Sequence, residues 1–228
     1  MSTPGRRPRW WQWLLVGVVL LVVIVVGGAA IFVKSQPSAA PLTLPPAAAR
    51  PSTGSADGTW DATTGSVAGF RIKESALGFS DDVTGRTTAV TGTAVITGGR
   101  VVSAVFRIGL TAIAVGGKPV PQFATSLDTA AHPDATITLA SPARLPAGFG
   151  TGRTVTAAFP GQLTLRGVTR PVTITVSARR DGVAIEAAGS LAVASGRWDI
   201  ALPAGFGFLG GLSNQATAEF LLILHRRE

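Results

Sequence analysis

Few residues in this chain have the types and spacing that chemistry requires. There are two histidines and no cysteine in 228 residues. His132 precedes Pro133, His225 lies in a basic tail, and neither has a histidine or carboxylate at metal-ligand spacing. The lack of cysteine excludes disulfides, thiolate metal sites, a cysteine nucleophile and a lipoprotein-type anchor. Asp81-Asp82 is an adjacent acidic pair that reads as a solvated turn. Glycosidase-type chemistry needs two carboxylates facing each other across a cleft, and no such pair stands out. The G-x-S-x-G elbow of many hydrolases is absent. Gly205 to Gly210 matches G-x-G-x-x-G, but that motif binds dinucleotides only between a strand and a helix. Here 18 residues follow Gly210 and the next periodic stretch is strand-like. The match therefore reads as a Gly-rich aromatic loop. Phe79, Phe206, Phe208 and Leu209 sit in such loops, as lids on a core or as a portal. No enzymatic activity, metal or cofactor is expected.

The charge balance points away from nucleic acid as well. The formal net charge is +8, and half of that excess precedes Gly58. In the remainder the basic residues are scattered, apart from Arg179-Arg180 and Arg226-Arg227. A nucleic-acid binder concentrates them on one face and interleaves aromatic residues.

The elements that would carry any site fall into four parts. Residues 1–13 hold Arg6, Arg7 and Arg9, followed by Trp10, Trp11 and Trp13. Residues 14–33 form an uncharged, almost wholly apolar run of 20 residues, which as a helix spans the roughly 30 Å hydrocarbon core of a bilayer. Three arginines precede this run and only Lys34 follows closely. The positive-inside rule then leaves the N-terminus in the cytoplasm and the rest of the chain outside. The run exceeds the usual 7–15-residue core of a cleaved signal peptide, so a retained single-pass anchor in the cell membrane is expected. Residues 34–57 are rich in Pro, Ala and Ser without a period, as in an extended, semi-rigid linker that holds the domain off the membrane.

From Gly58 to Glu228 the pattern is that of strands. In one stretch Phe70 and Ile72 alternate with Arg71 and Lys73. Val90, Ala94 and Ile96 share one parity, and Val102, Ala104, Phe106, Ile108 and Leu110 are in step beyond Gly98-Gly99. Phe123 and Leu127 are four apart, which predicts a short helix. Ile137 and Leu139 resume a strand, and Val155, Ala157 and Phe159 lead into the stretch GQLTLRGVTRPVTITVSARR. There Leu163 and Leu165 face one way, as do Val172, Ile174 and Val176, with a hairpin turn at Gly167. Pro171 cannot donate to a ladder, which places it at a strand start, an edge or a bulge. Phe220, Leu222 and Leu224 are in step in the last strand. About eight antiparallel strands with one apolar face each predict an all-β barrel or a two-sheet sandwich. A barrel of that size is filled by its own side chains or holds one small ligand. Its interior positions are Phe70, Val102, Ala104, Phe106, Ile108, Leu139, Leu163, Leu165, Val172, Ile174, Phe220 and Leu222.

The segment G-x-L-T-L-x-G-V-T-R-P-V-T, starting at Gly161, resembles the central signature of the YceI-like family of lipid- and polyisoprenoid-binding proteins. Ser66-Val67-x-x-Phe70, Val83 to Gly92, Leu127-Asp128 and Pro133-Asp134-Ala135-Thr136-Ile137 are similar to further parts of its pattern. Where family members often carry an Arg-Asp pair before the helix, this chain has Lys118 to Phe123. The resemblance implies an antiparallel, lipocalin-like barrel of about eight strands with a short helix, exported and not enzymatic. It implies that the twelve interior positions contact a lipid or isoprenoid, quinone-like chain. Together with the anchor, this predicts a membrane-bound extracytoplasmic binding protein. The competing expectation is a structural or interaction module of the envelope with no ligand. Protein partners are not indicated.

Overall fold

The computed structural model describes residues 39–47, 54–76, 79–202 and 210–228. The apolar run 14–33, residues 1–13 and the aromatic loop residues Phe206, Phe208 and Leu209 lie outside them. Among the described residues no helix is long and apolar enough to cross a membrane.

The strands are β1 (Gly58–Ala62), β2 (Val67–Ala76), β3 (Phe79–Thr87), β4 (Val90–Thr97), β5 (Arg100–Gly109), β6 (Ala114–Val115) and β7 (Lys118–Pro119). The short helix α1 (Pro121–Leu127) follows, then β8 (Asp134–Leu139), β9 (Ala143–Arg144), β10 (Val155–Leu165), β11 (Val168–Asp181), β12 (Ala184–Ala194) and β13 (Gly210–Arg226). All pairings are antiparallel. The long β13 pairs with β1 near its C-terminal end and with β2 along the rest. In turn β4 pairs with β1 and β3 with β2. Thus β1 and β2 act as one interrupted stave, and β3 and β4 as another. With β5, β8, β10, β11, β12 and β13 they close an eight-stave barrel. Closure removes the open edges that an eight-stranded sheet would otherwise expose.

The central hairpin forms as its sequence predicts. Leu165 pairs with Val168, and Arg166 and Gly167 both have positive φ, 49° and 72°. That is the two-residue turn whose twist matches the strands it joins. Pro171 lies inside β11, but β12 covers only Thr175–Asp181, so on that side Pro171 faces no strand ladder. The predicted helix is α1, with Phe123 buried. Gly189 shows why a small residue is needed in β12: a Cβ there would lie 2.4 Å from the Phe220 ring.

Two expectations are corrected. Val102 is 37% exposed rather than interior. The β4–β5 register slips between Val95 and Ile96, so Ile96 pairs with Val101 and Val95 with Ser103. This bulge inserts one residue and turns Val102 outward, while Val101 packs against the core. Asp81 and Asp82 are not in a turn but inside β3, where Asp82 bridges Arg71 and Lys73 of β2.

Candidate functional site

The inward parity of eight staves leaves a cavity of about 290 Å³ inside the barrel, with a lining that runs from Leu224 to Asn214. At one end Trp60, Phe149 and Leu224 are buried and close the bottom. The Trp60 indole donates to the Ala56 carbonyl at 2.9 Å, and the guanidiniums of Arg226 and Arg180 lie 5.2 and 5.9 Å from its ring centroid. Burial, and then the neighbouring Arg226 charge, push the Arg180 guanidinium below its ordinary range. The other end carries α1, the Arg166-Gly167 turn and a 3-10 turn, Ser195–Trp198. There Ser126, Ser195, Ser213 and Asn214 border the cavity, and Asn214 is exposed, so this end is the mouth.

Between the ends the wall is apolar. Of the interior positions expected from sequence, Phe70, Ala104, Phe106, Ile108, Leu139, Leu163, Leu165, Ile174, Phe220 and Leu222 border the cavity. Val172 packs against the buried cluster of Leu163, Leu165 and Ile174 without bordering the space, and Val102 is outside. Several residues of the wall and of the cluster behind it are not among the twelve interior positions. Ile72, Leu191 and Val193 have the right parity in their strands and were legible in principle. Trp198, fully buried beside the mouth, follows no period because it sits in the 3-10 turn. Its indole donates to the Leu163 carbonyl at 3.3 Å, which satisfies the polar edge of an otherwise apolar plug. The lining of this cavity among the described residues is almost wholly apolar, with three serine hydroxyls and one amide gathered at the mouth. Among the described residues no three His, Asp or Glu side chains converge in a way that would hold a metal ion.

The outside of the same barrel holds the opposite kind of chemistry. Glu219 of β13 is only 4% exposed although it faces outward, with Arg86 at 2.9 Å and Arg71 at 3.3 Å. What covers it is residues 39–47. The Leu42 amide donates to Glu219 Oε2 at 2.7 Å, and the Ala39 amide to Thr84 Oγ1 at 3.0 Å. Arg71 donates to the Ala39 carbonyl, Arg86 to that of Ala40 and Arg179 to that of Pro45. Arg179 also pairs with Glu186. This part of the Pro/Ala-rich segment therefore lies along the barrel wall as a strap. Burial raises the Asp82 carboxyl, but hydrogen bonds and charge from Lys73 and Arg71 outweigh it and hold the group below its ordinary range.

This architecture has known relatives. A solved polyisoprenoid binding domain from Saccharophagus degradans, implicated in plant cell wall breakdown, is 18% identical with a TM-score of 0.56. The match covers 75% of this chain and 99% of that one. BcnA of Burkholderia cenocepacia is 16% identical with a TM-score of 0.50, over 68% of this chain and 95% of that one. At these identities the likeness establishes the shared fold alone. No match was found among curated proteins. The family profile described as YceI-like domain matches residues 59–217, which spans β1 to the middle of β13 and most of the chain. The chain belongs to the YceI-like family.

Proposed function

We propose that the barrel binds an isoprenoid, quinone-like or other lipid chain in its interior, and that the apolar run 14–33 holds it at a membrane with the barrel on the extracytoplasmic side. The observation that carries the first part is the continuous cavity with its almost wholly apolar lining. Its volume lies near the lower end of the roughly 300–1,000 Å³ common for small-ligand pockets, which suits one slender chain. The polyisoprenoid binding named for the Saccharophagus domain points to the same ligand class. Each methylene withdrawn from water contributes about 0.8 kcal/mol, a term that largely cancels between a bilayer and a dry barrel. Such a site exchanges chains with a membrane readily and retains them against water. The second part rests on the arginines before the apolar run and the single Lys34 closely after it.

Ala104 borders the cavity on the parity of Phe106 and Ile108, so its enlargement tests the site. Ala104→Phe is expected to lower the lipid recovered per mole of purified protein, measured by extraction and mass spectrometry, while the melting curve stays cooperative. Unchanged lipid in the folded variant would rule out a chain running past this position. A parent protein that carries no lipid and takes up no added isoprenoid would favour a ligand-free envelope module. Protease added to intact cells should remove the barrel, and its survival until lysis would reverse the orientation.

A further inference from the structure

We infer that the docked strap fixes which end of the barrel meets the membrane: the mouth faces the lipid surface and the Trp60 end points away from it. The inference rests on the reading of residues 14–33 as an anchor. It follows from where the strap begins and how much chain remains before it.

The strap crosses the barrel diagonally. Its first contacts are Ala39 with Thr84 of β3 and with Arg71 of β2, in the half nearer the mouth. It passes Glu219 at Leu42 and reaches Arg179 at Pro45, near the closed end. Gly54 and Ser55 then accept from Arg180 and Arg226 beside Trp60. The N-terminal end of the strap is therefore its mouthward end. From Ala39 back to Val33 there are six residue steps, which reach at most about 22 Å when fully extended. From Thr84 the mouthward end of β3, at Phe79, is five residues away, or about 17 Å along the strand. The closed end of the same stave, at Thr97, is thirteen residues away, or about 43 Å. The apolar run can thus end level with the mouth but cannot reach the level of Trp60.

The mouth also carries charge that suits this placement. Arg166, Arg170 and Arg197 lie around it and donate to the carbonyls of Asp199, Arg197 and Pro171 rather than to carboxylates. Their positive charge remains available to anionic lipid headgroups. A ligand chain would then pass between bilayer and cavity over a short path beside the neutral polar groups Ser126, Ser195 and Asn214.

The absence of native cysteine allows single labels. Ala131→Cys, exposed before β8 at the mouth, and Thr97→Cys, exposed at the closed end, would each carry a fluorophore. The full-length protein is reconstituted in phosphatidylcholine–phosphatidylglycerol vesicles containing a nitroxide-headgroup lipid. Quenching several-fold stronger at residue 131 than at 97 is expected. Inserting a twenty-residue Gly/Ser segment between Lys34 and Ser38 should remove most of that difference without shifting the melting temperature. Protein washed from the vesicles at alkaline pH would refute the anchor and this inference with it. Protein that stays bound but is quenched equally at both positions, or more at 97, would refute the orientation alone. An unchanged bias in the insertion variant would show that the tether does not set it.

Discussion

The two faces of the barrel wall solve burial in opposite ways. Inside, Phe106, Leu163, Ile174 and Leu222 are buried among apolar neighbours and make no directional demand. Such a surface can exchange one apolar neighbour, a side chain, for another, a ligand, with little change in free energy. Outside, Glu219 is as well buried as those residues, yet its burial depends on Arg71, Arg86 and the amide of a segment 177 residues away. A buried carboxylate tolerates its site only while those partners hold their geometry. The inside is therefore adaptable and the outside is specific.

Substitutions can break or sharpen this contrast. The largest expected effect is Phe106→Ala, which empties part of the interior and should destabilise by about 3–5 kcal/mol in urea unfolding. Thr173→Ala, on the exposed face of β11, should stay within about 1 kcal/mol. Equal effects would mean that the assignment of faces is mistaken. Glu219→Ala comes next, at about 2–4 kcal/mol, because it leaves two arginines facing each other beneath the strap. Leu42→Pro removes the amide that donates to Glu219, together with the half-buried leucine side chain, and should cost about 1–2 kcal/mol. In the Glu219→Ala background it should cost much less, and a double-mutant cycle without coupling would deny the strap its role.

The smallest expected effect is at Asp82. Its ion pairs with Arg71 and Lys73 are partly exposed and should contribute less than about 1 kcal/mol. The folded-state carboxyl titrates below its unfolded value near 3.9, so the contribution is present above that pH and is lost as the pH falls through the lower folded value. Parent and Asp82→Asn proteins should therefore differ at neutral pH and converge once the pH has fallen below the lowered folded value. A difference that persists unchanged in acid would locate the effect in something other than charge.

Much of the fold can be read from residues in order, because side-chain alternation is a property of the strand backbone itself. Leu163 and Leu165, Arg166-Gly167, and Ile174 with Val176 specify two strand faces and the turn between them without reference to anything distant. The pair Phe123 and Leu127 does the same for α1, and most interior positions follow from parity alone. What local pattern cannot supply is anything that depends on a partner strand or on a contact far along the chain. The bulge at Val101–Val102 exists only in the register of β4 against β5, so Val102 reads as interior until that register is known. Trp198 packs in the buried cluster of Leu163 and Leu165 on the mouth side from an aperiodic turn, held by a carbonyl 35 residues away. Residues 39–47 have the composition of a free linker, since polar backbone without a period carries no record of where it binds. Only the assembled wall brings Thr84, Arg71, Glu219 and Arg179 into one line, and that line turns a stretch of proline and alanine into a strap.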